Sequence, residues 1–364
     1  MPHLPKWTQI SAFAAAEWRH LVRLTPSTRV WRMPFAAALA SGLPLCVGAW
    51  FGRMDYGLVS SLGGMVFLSV PPTPLRHSMV VVMASGFGMI ACYAFAMISH
   101  FAAPLITPAL ALIAMLATMA SRLYALPPPG SFFFVMAAAI GIFSPAEVAD
   151  VPLRVGLLAM GVVLAVLIAF LYSLASRQAA PPQPPMAKPS DAFDFIVVDS
   201  VVIAAFLGLS LGLAQALQME RAYWVPVSCL AVMQAASLRA LWTRQVHRII
   251  GTGVGLLLAW GLLALPLGPW SVALLMTLLA FVIETLVVRH YGLAVVFITP
   301  MAILLAEAAS LGHGSPTELI SARFYDTALG CTVGLIGGAC LHSIAFRRIV
   351  GDWLRRLTPP GWGV

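Results

Sequence analysis

The chain has 364 residues, 60% of them hydrophobic and only 9% charged, with a mean hydropathy of +0.93. Soluble domains carry about 25% charged residues, so an ordinary water-soluble fold is excluded; the length accommodates about ten to twelve membrane spans and no sizeable extramembrane domain. The net charge of +8 is spread singly and in small groups at the ends of apolar runs, which speaks against the continuous basic patch of a nucleic-acid-binding protein and points to membrane topology.

Residues 1–32 lack a secretory signal pattern: Lys6, Glu17, Arg19 and Arg23 interrupt them, and the first long apolar run starts at Met33. Trp7, Ile10, Phe13, Trp18 and Leu21 recur at roughly helical spacing, which predicts an amphipathic helix in the cytoplasmic interface, a mobile tail being the alternative. Apolar runs follow at 33–51, 57–71, 78–99, 102–120, 130–143 and 153–174, then at 196–217, 223–237, 249–266, 270–288, 291–310 and 325–346. They predict an all-α polytopic membrane protein of about twelve transmembrane helices. With the N-terminus in the cytoplasm, only Arg53, Arg154, Arg221 and Arg323 of the 21 Lys and Arg fall outside. That asymmetry follows the positive-inside rule and makes both termini cytoplasmic.

The segment 176–195 contains Pro181-Pro182-Gln183-Pro184-Pro185, too polar to insert and too short to fold alone, and reads as a cytoplasmic linker. It divides the chain into a first six-helix block, 33–175, and a second, 196–346, followed by a basic tail, 347–364. The blocks resemble each other. Asp55-Tyr56-Gly57-Leu58-Val59-Ser60-Ser61 matches Ala222-Tyr223-Trp224-Val225-Pro226-Val227-Ser228, and Arg154 before span six matches Arg323 before span twelve. Six spans per block bring both into the membrane from the same side, giving parallel repeats with a cavity expected between them.

Three stretches carry a family resemblance: Tyr223-Trp224-Val225-Pro226, Arg248-Ile249-Ile250-Gly251-Thr252-x-x-Gly255, and Arg323-x-x-Asp326-Thr327-x-x-Gly330. Through them the sequence resembles the fusaric acid resistance protein family, which includes the p-hydroxybenzoate efflux proteins and has the plant aluminium-activated malate transporters as more distant relatives. The resemblance implies export of small, aromatic carboxylates across the inner membrane, driven by protons or by the membrane potential. An anion channel is the nearest alternative, and a non-transporting membrane scaffold or assembly factor is a rival of another class. Family members often carry large cytoplasmic regions after each block, where this sequence has a short linker and a short tail. The implied partners are a small organic anion and membrane lipid, with a homo-oligomer or an accessory export protein as further options.

No enzymatic constellation is present: there is no H-E-x-x-H, G-x-S-x-G or Walker A pattern and no cluster of metal ligands, so no cofactor is expected. Cys46, Cys92, Cys229, Cys331 and Cys340 lie inside apolar stretches and read as packing residues. Gly251-x-Gly253-x-Gly255 lies within an apolar run and reads as a close helix contact, not a nucleotide loop.

The candidate transport residues are ionisable groups in or beside apolar runs. Arg323 and Asp326 share a helix face at the outer end of span twelve, either as an anion and proton site or as a structural salt bridge; Arg154 is the repeat counterpart, without an acid three residues on. Arg76, Arg244 and Arg248 stand at the cytoplasmic mouth, where guanidinium groups suit carboxylates. Thr299-Pro300 interrupts span eleven, and Pro127-Pro128-Pro129-Gly130 precedes span five at the matching place. Such breaks free backbone groups for ligands. Phe132, Phe133 and Phe134 form either a wall for an aromatic substrate or a lipid-facing patch. Glu307 is a second candidate proton carrier, while Tyr56, Tyr223 and Trp224 fit an interfacial aromatic belt.

Overall fold

The computed structural model describes residues 31–144, 146–176, 194–307 and 316–357, together with 22 and 24–26. Its regular structure is helical, with no strand among the described residues. The first half contains α1 (Arg32–Trp50), α2 (Met54–Gly64), α3 (Leu75–Ser99), α4 (Ile106–Leu123), α5 (Phe132–Phe143) and α6 (Val151–Ser176). The second contains α7 (Asp199–Ala216), α8 (Trp224–Met233), α9 (Leu238–Leu263), α10 (Pro269–Leu286), α11 (Tyr291–Glu307) and α12 (Pro316–His342), and α13 (Ile344–Leu357) follows. The expected interfacial helix within 1–32 and the proline-rich linker lie largely outside the described residues.

Among the described residues, eight helices are long and apolar enough to cross a membrane: α1, α3, α4, α6, α7, α9, α10 and α12. The remaining apolar runs hold shorter helices. α2, α5 and α8 have 11, 12 and 10 residues, well below the roughly 17–25 of a full crossing, and the 17 residues of α11 are interrupted by Pro300. Lipid is the solvent for much of the outer surface. Along α6, a window of mean hydropathy 2.7 is only 28% buried, and Phe87, Leu257 and Met160 project outward. In water such apolar surface would cost about 25 cal/mol per Å².

Neighbour relations fix where the functional helices sit. In the first half α1 packs on α2 and α6, α2 on α6, α3 on α5 and α6, and α4 on α5. The same set recurs six helices later: α7 on α8 and α12, α8 on α12, α9 on α11 and α12, and α10 on α11. The halves meet where α1 lies against α10 and α4 against α7. One apolar core, including Tyr93, Phe67, Ile142, Leu158, Leu207 and Leu230, runs through both halves. A second one around Leu45, Met276 and Leu304 fills the α1–α10 junction.

Glycines bring two helix pairs to backbone contact. A Cβ added at Gly161 of α6 would run into the Ser60 carbonyl of α2, and one at Gly330 of α12 would run into the Val225 carbonyl of α8. At Gly334 it would stand 2.7 Å from the Cys229 carbonyl. The glycines of α9 behave similarly, as their apolar setting implied: Gly251 faces the Gly292 carbonyl and Gly255 faces Thr299, whereas Gly253 has open space. Between α1 and α2, Gly52 takes a left-handed conformation (φ +66) that turns the chain in three residues. Beside it Arg53 pairs with Asp55 at 2.9 Å and covers the Tyr56 ring at 3.6 Å. The Asp55 hydrogen bond pushes the Arg53 guanidinium further above its ordinary value.

Two boundaries move in ways that matter for function. α9 begins at Leu238 instead of residue 249, because the Ser237 hydroxyl accepts a hydrogen bond from the Ala240 N–H at 3.2 Å and caps the helix. α12 begins at Pro316 instead of 325. Arg244, Arg248, Arg323 and Asp326 are therefore set within long helices and not at their ends.

Candidate functional site: a buried cationic cluster between α8, α9 and α12

The family-like motifs converge on one place. Arg248, near the middle of α9, is 3% exposed and donates hydrogen bonds to the Ser228 hydroxyl of α8 at 3.2 Å and the Tyr291 hydroxyl of α11 at 3.3 Å. Arg323 of α12 is 4% exposed, its guanidinium carbon 3.9 Å from the centroid of the Trp224 ring at the start of α8. Asp326, one turn further along α12, is 1% exposed. Thr327, Gln245 and Thr252 are buried on the same helices. The charges of Arg248 and Arg323 act on one another, and Asp326 acts on Arg323.

Sequence reasoning placed Arg248 at the inner mouth and Arg323 at the outer end of its span. In the structure both are buried against the short α8, Arg248 at Ser228 and Arg323 at Trp224, and Asp326 feels the charges of Arg221 and Glu220 in the turn that precedes α8. Trp224, expected in an interfacial belt, is buried, and Arg323 lies over it.

Several polar atoms of the cluster lack a protein partner. Arg323 Nε and Nη1, Arg248 Nε, both Asp326 carboxylate oxygens, Thr327 Oγ1 and Gln245 Oε1 are buried without hydrogen bonds. Of the two alternatives for Arg323 and Asp326, the structural salt bridge is not formed: neither carboxylate oxygen has a donor. Desolvation costs several kcal/mol per buried ion unless an opposite charge or hydrogen bonds compensate. Arg248 and Arg323 against Asp326, with Arg221 and Glu220 also acting on that carboxylate, leave a net positive site. Chemically, it suits a carboxylate, which accepts parallel N–H bonds from a guanidinium.

The other candidates lie apart. Arg244 donates to the Ala231 carbonyl at 3.2 Å and lies 5.3 Å from the Tyr291 ring centroid, on the edge of the cluster. Arg76 is exposed in the first turn of α3. Arg154, half-buried in α6, interacts with Tyr93 in the first half. The halves are chemically unequal: at the same offset as Tyr56 and Tyr223, Ser61 stands for Ser228, but Val81 stands for Arg248. The Ser61 hydroxyl is buried without a partner. Thr299 bonds its own helix, donating to the Val295 carbonyl at 2.9 Å. Pro300 has no N–H for the Val296 carbonyl, and that oxygen packs against Gly255 of α9, so the break is covered by protein. Glu307 ends α11, and its side chain lies outside the described residues. Of the phenylalanine triplet, Phe134 is buried against Gly88 of α3, while Phe132 and Phe133 pack edge to face at 5.5 Å.

A second polar centre escaped sequence reasoning. Asp199, buried at the start of α7, is paired with Arg122 of α4 and, at 3.2 Å, with Arg347 of α13. Arg122 also donates to the Phe195 carbonyl at 2.6 Å and covers that ring at 4.3 Å. One carboxylate thus ties the first half, the second half and the terminal amphipathic helix together. The three partners come from remote stretches, and no local pattern announces them.

Comparison with known proteins agrees with the motifs. Residues 203–337 match the family described as fusaric acid resistance protein-like, a segment that contains every member of the buried cluster. A stretch of 124 residues is 36% identical to the uncharacterized membrane protein YvaC of Bacillus subtilis (strain 168), covering 34% of this chain and 20% of that protein. The matched part therefore spans about a fifth of that relative's length. No solved structure matches the chain. Through the helices that build the cationic cluster, this membrane protein is similar to the fusaric acid resistance protein-like family, as the residues of the cluster imply.

Proposed function

We propose that the chain is an exporter of small aromatic carboxylates in the inner membrane, built as two parallel six-helix repeats with both termini in the cytoplasm. The observation that carries this reading is the pair of buried arginines, Arg248 and Arg323, whose N–H groups are not all satisfied by protein acceptors. A permanent, poorly compensated charge in an apolar surround is costly and marks a pathway. A substrate carboxylate supplies the missing countercharge, and Trp224 offers an aromatic face beside Arg323 for a ring-bearing anion.

Asp326 gives the site its coupling. Charged, it offsets the positive charge of Arg323 and repels a substrate carboxylate; protonated, it leaves that charge to the substrate. Even without protons, an inside-negative potential pushes an anion outward with roughly 2.3 kcal/mol per charge per 100 mV. The recurring neighbour set of the two halves supports the repeat, and the eight long helices with four shorter partners at matching places support the twelve-segment arrangement.

Flux of a labelled aromatic acid through purified protein in liposomes tests the proposal. Saturable, slow flux that Arg323→Gln abolishes supports a carrier. Large unitary currents would make the molecule a channel instead, and nil flux across a panel of aromatic acids would leave the scaffold reading.

A further inference from the structure

The helix α13 follows the span α12 after a single non-helical residue, Ser343, so it starts at the membrane face where α12 ends. Its sequence, Ile344-Ala345-Phe346-Arg347-Arg348-Ile349-Val350-Gly351-Asp352-Trp353-Leu354-Arg355-Arg356-Leu357, separates into three strips. Phe346, Val350 and Leu354 pack inward on the main core, and Arg347 turns the same way to pair with Asp199. Ile349 and Trp353, one turn apart, form an apolar strip that is 69% and 58% exposed. Arg348, Asp352, Arg355 and Arg356 occupy the remaining exposed face, with Arg355 also 3.4 Å from Asp352.

A helix held to protein by one strip, with an apolar strip and a basic strip side by side on its free surface, has the pattern of an element lying in a lipid interface. Its exposed basic residues favour anionic headgroups. We propose that α13 docks on anionic phospholipid, Arg348 and Arg356 taking the headgroup phosphates while Ile349 and Trp353 enter the acyl boundary. The Arg347–Asp199–Arg122 network carries that docking to the α4–α7 junction between the halves, so lipid charge sets how firmly the junction is held.

The test uses the full chain. In non-ionic detergent, phosphatidylglycerol raises the thermal midpoint by several degrees more than phosphatidylcholine does, and the double variant Arg348→Gln/Arg356→Gln loses at least half of that difference. In vesicles with brominated phosphatidylglycerol, the wild type shows a quenched tryptophan component that Trp353→Phe lacks. Equal effects of the two lipids, a double variant that keeps the whole difference, or a Trp353 signal that escapes quenching each overturn the proposal. So does a second copy covering this strip, which Trp353→Arg would reveal by turning a dimer into a monomer with no lipid effect. None of these readouts requires transport, so failure here and failure of the exporter reading are separable.

Discussion

The Arg323 guanidinium lies 3.9 Å from the Trp224 ring centroid, while Asp326, one turn along the same helix, has no donor for either oxygen. The cation is held by an aromatic face from a neighbouring helix and not by the acid that sequence spacing offers it. A cation–π contact in a desolvated setting is worth about 2 kcal/mol, less than full pairing would give. The arginine is positioned yet still able to accept a counter-ion.

Joint replacement of Arg323 and Asp326 separates a structural from a functional role. Exchanging both members of a buried pair of opposite charges for apolar side chains is neutral or stabilising by about 1–4 kcal/mol, whereas removing one leaves the other uncompensated. Arg323→Met combined with Asp326→Leu is therefore expected to keep or raise the thermal midpoint while abolishing uptake of a labelled aromatic acid, and Arg323→Met alone to lower the midpoint. A fall in the midpoint of the double variant with flux intact would make the arginine a structural element.

Asp326→Asn is expected to leave binding of the organic anion measurable and to remove the response of flux to an imposed proton gradient. Solute counterflow and gradient-driven flux, compared in the same liposomes, separate the two. An unchanged gradient response would assign proton coupling elsewhere or to the membrane potential.

The glycine contacts predict a sharp contrast among small substitutions. Gly330→Ala places a methyl group against the Val225 carbonyl, a backbone atom with little freedom to move, and overpacking of this kind costs about 1–3 kcal/mol. Gly253→Ala points into open space and should be neutral or stabilising by up to about 1 kcal/mol through helix propensity. Midpoints of the two variants in one detergent check the ordering.

Asp199→Asn removes the carboxylate shared by Arg122 and Arg347. Arg347 meets that carboxylate as an ion pair at 3.2 Å without hydrogen-bond geometry, and the expected result of losing it is faster amide exchange across Ile344–Leu357 with little change in α9. Unaltered protection of α13 would show that Phe346, Val350 and Leu354 hold it unaided.

The broad class was legible because lipid imposes it: long uncharged runs have a direct physical cause, and the long apolar helices of the structure answer to them. The members of the buried site were legible too, since Trp224, Arg248, Arg323 and Asp326 all stand in the family-like motifs. Their assembly was not. Leu238–Arg248 reads as too polar to continue a membrane helix, and only the Ser237 cap with the Ser228 and Tyr291 hydroxyls makes its burial tolerable. Trp224, at the edge of an apolar run, has the pattern of an interfacial anchor until α12 is seen to lay an arginine on it. The Arg122–Asp199–Arg347 network joins three elements distant in the chain, and periodicity carries no record of it.

Backbone contact between α8 and α12 has a further mechanical meaning. With Gly330 seated on Val225 and Gly334 on Cys229, neither helix can roll or slide against the other without collision. The tryptophan and the arginine it supports therefore ride together as one stiff blade. Arg248 rides on α9, reaching that blade through the Ser228 hydroxyl. On the proposed export function, an opening stroke would have to part α9 from the blade, and that hydrogen bond would be the latch it undoes.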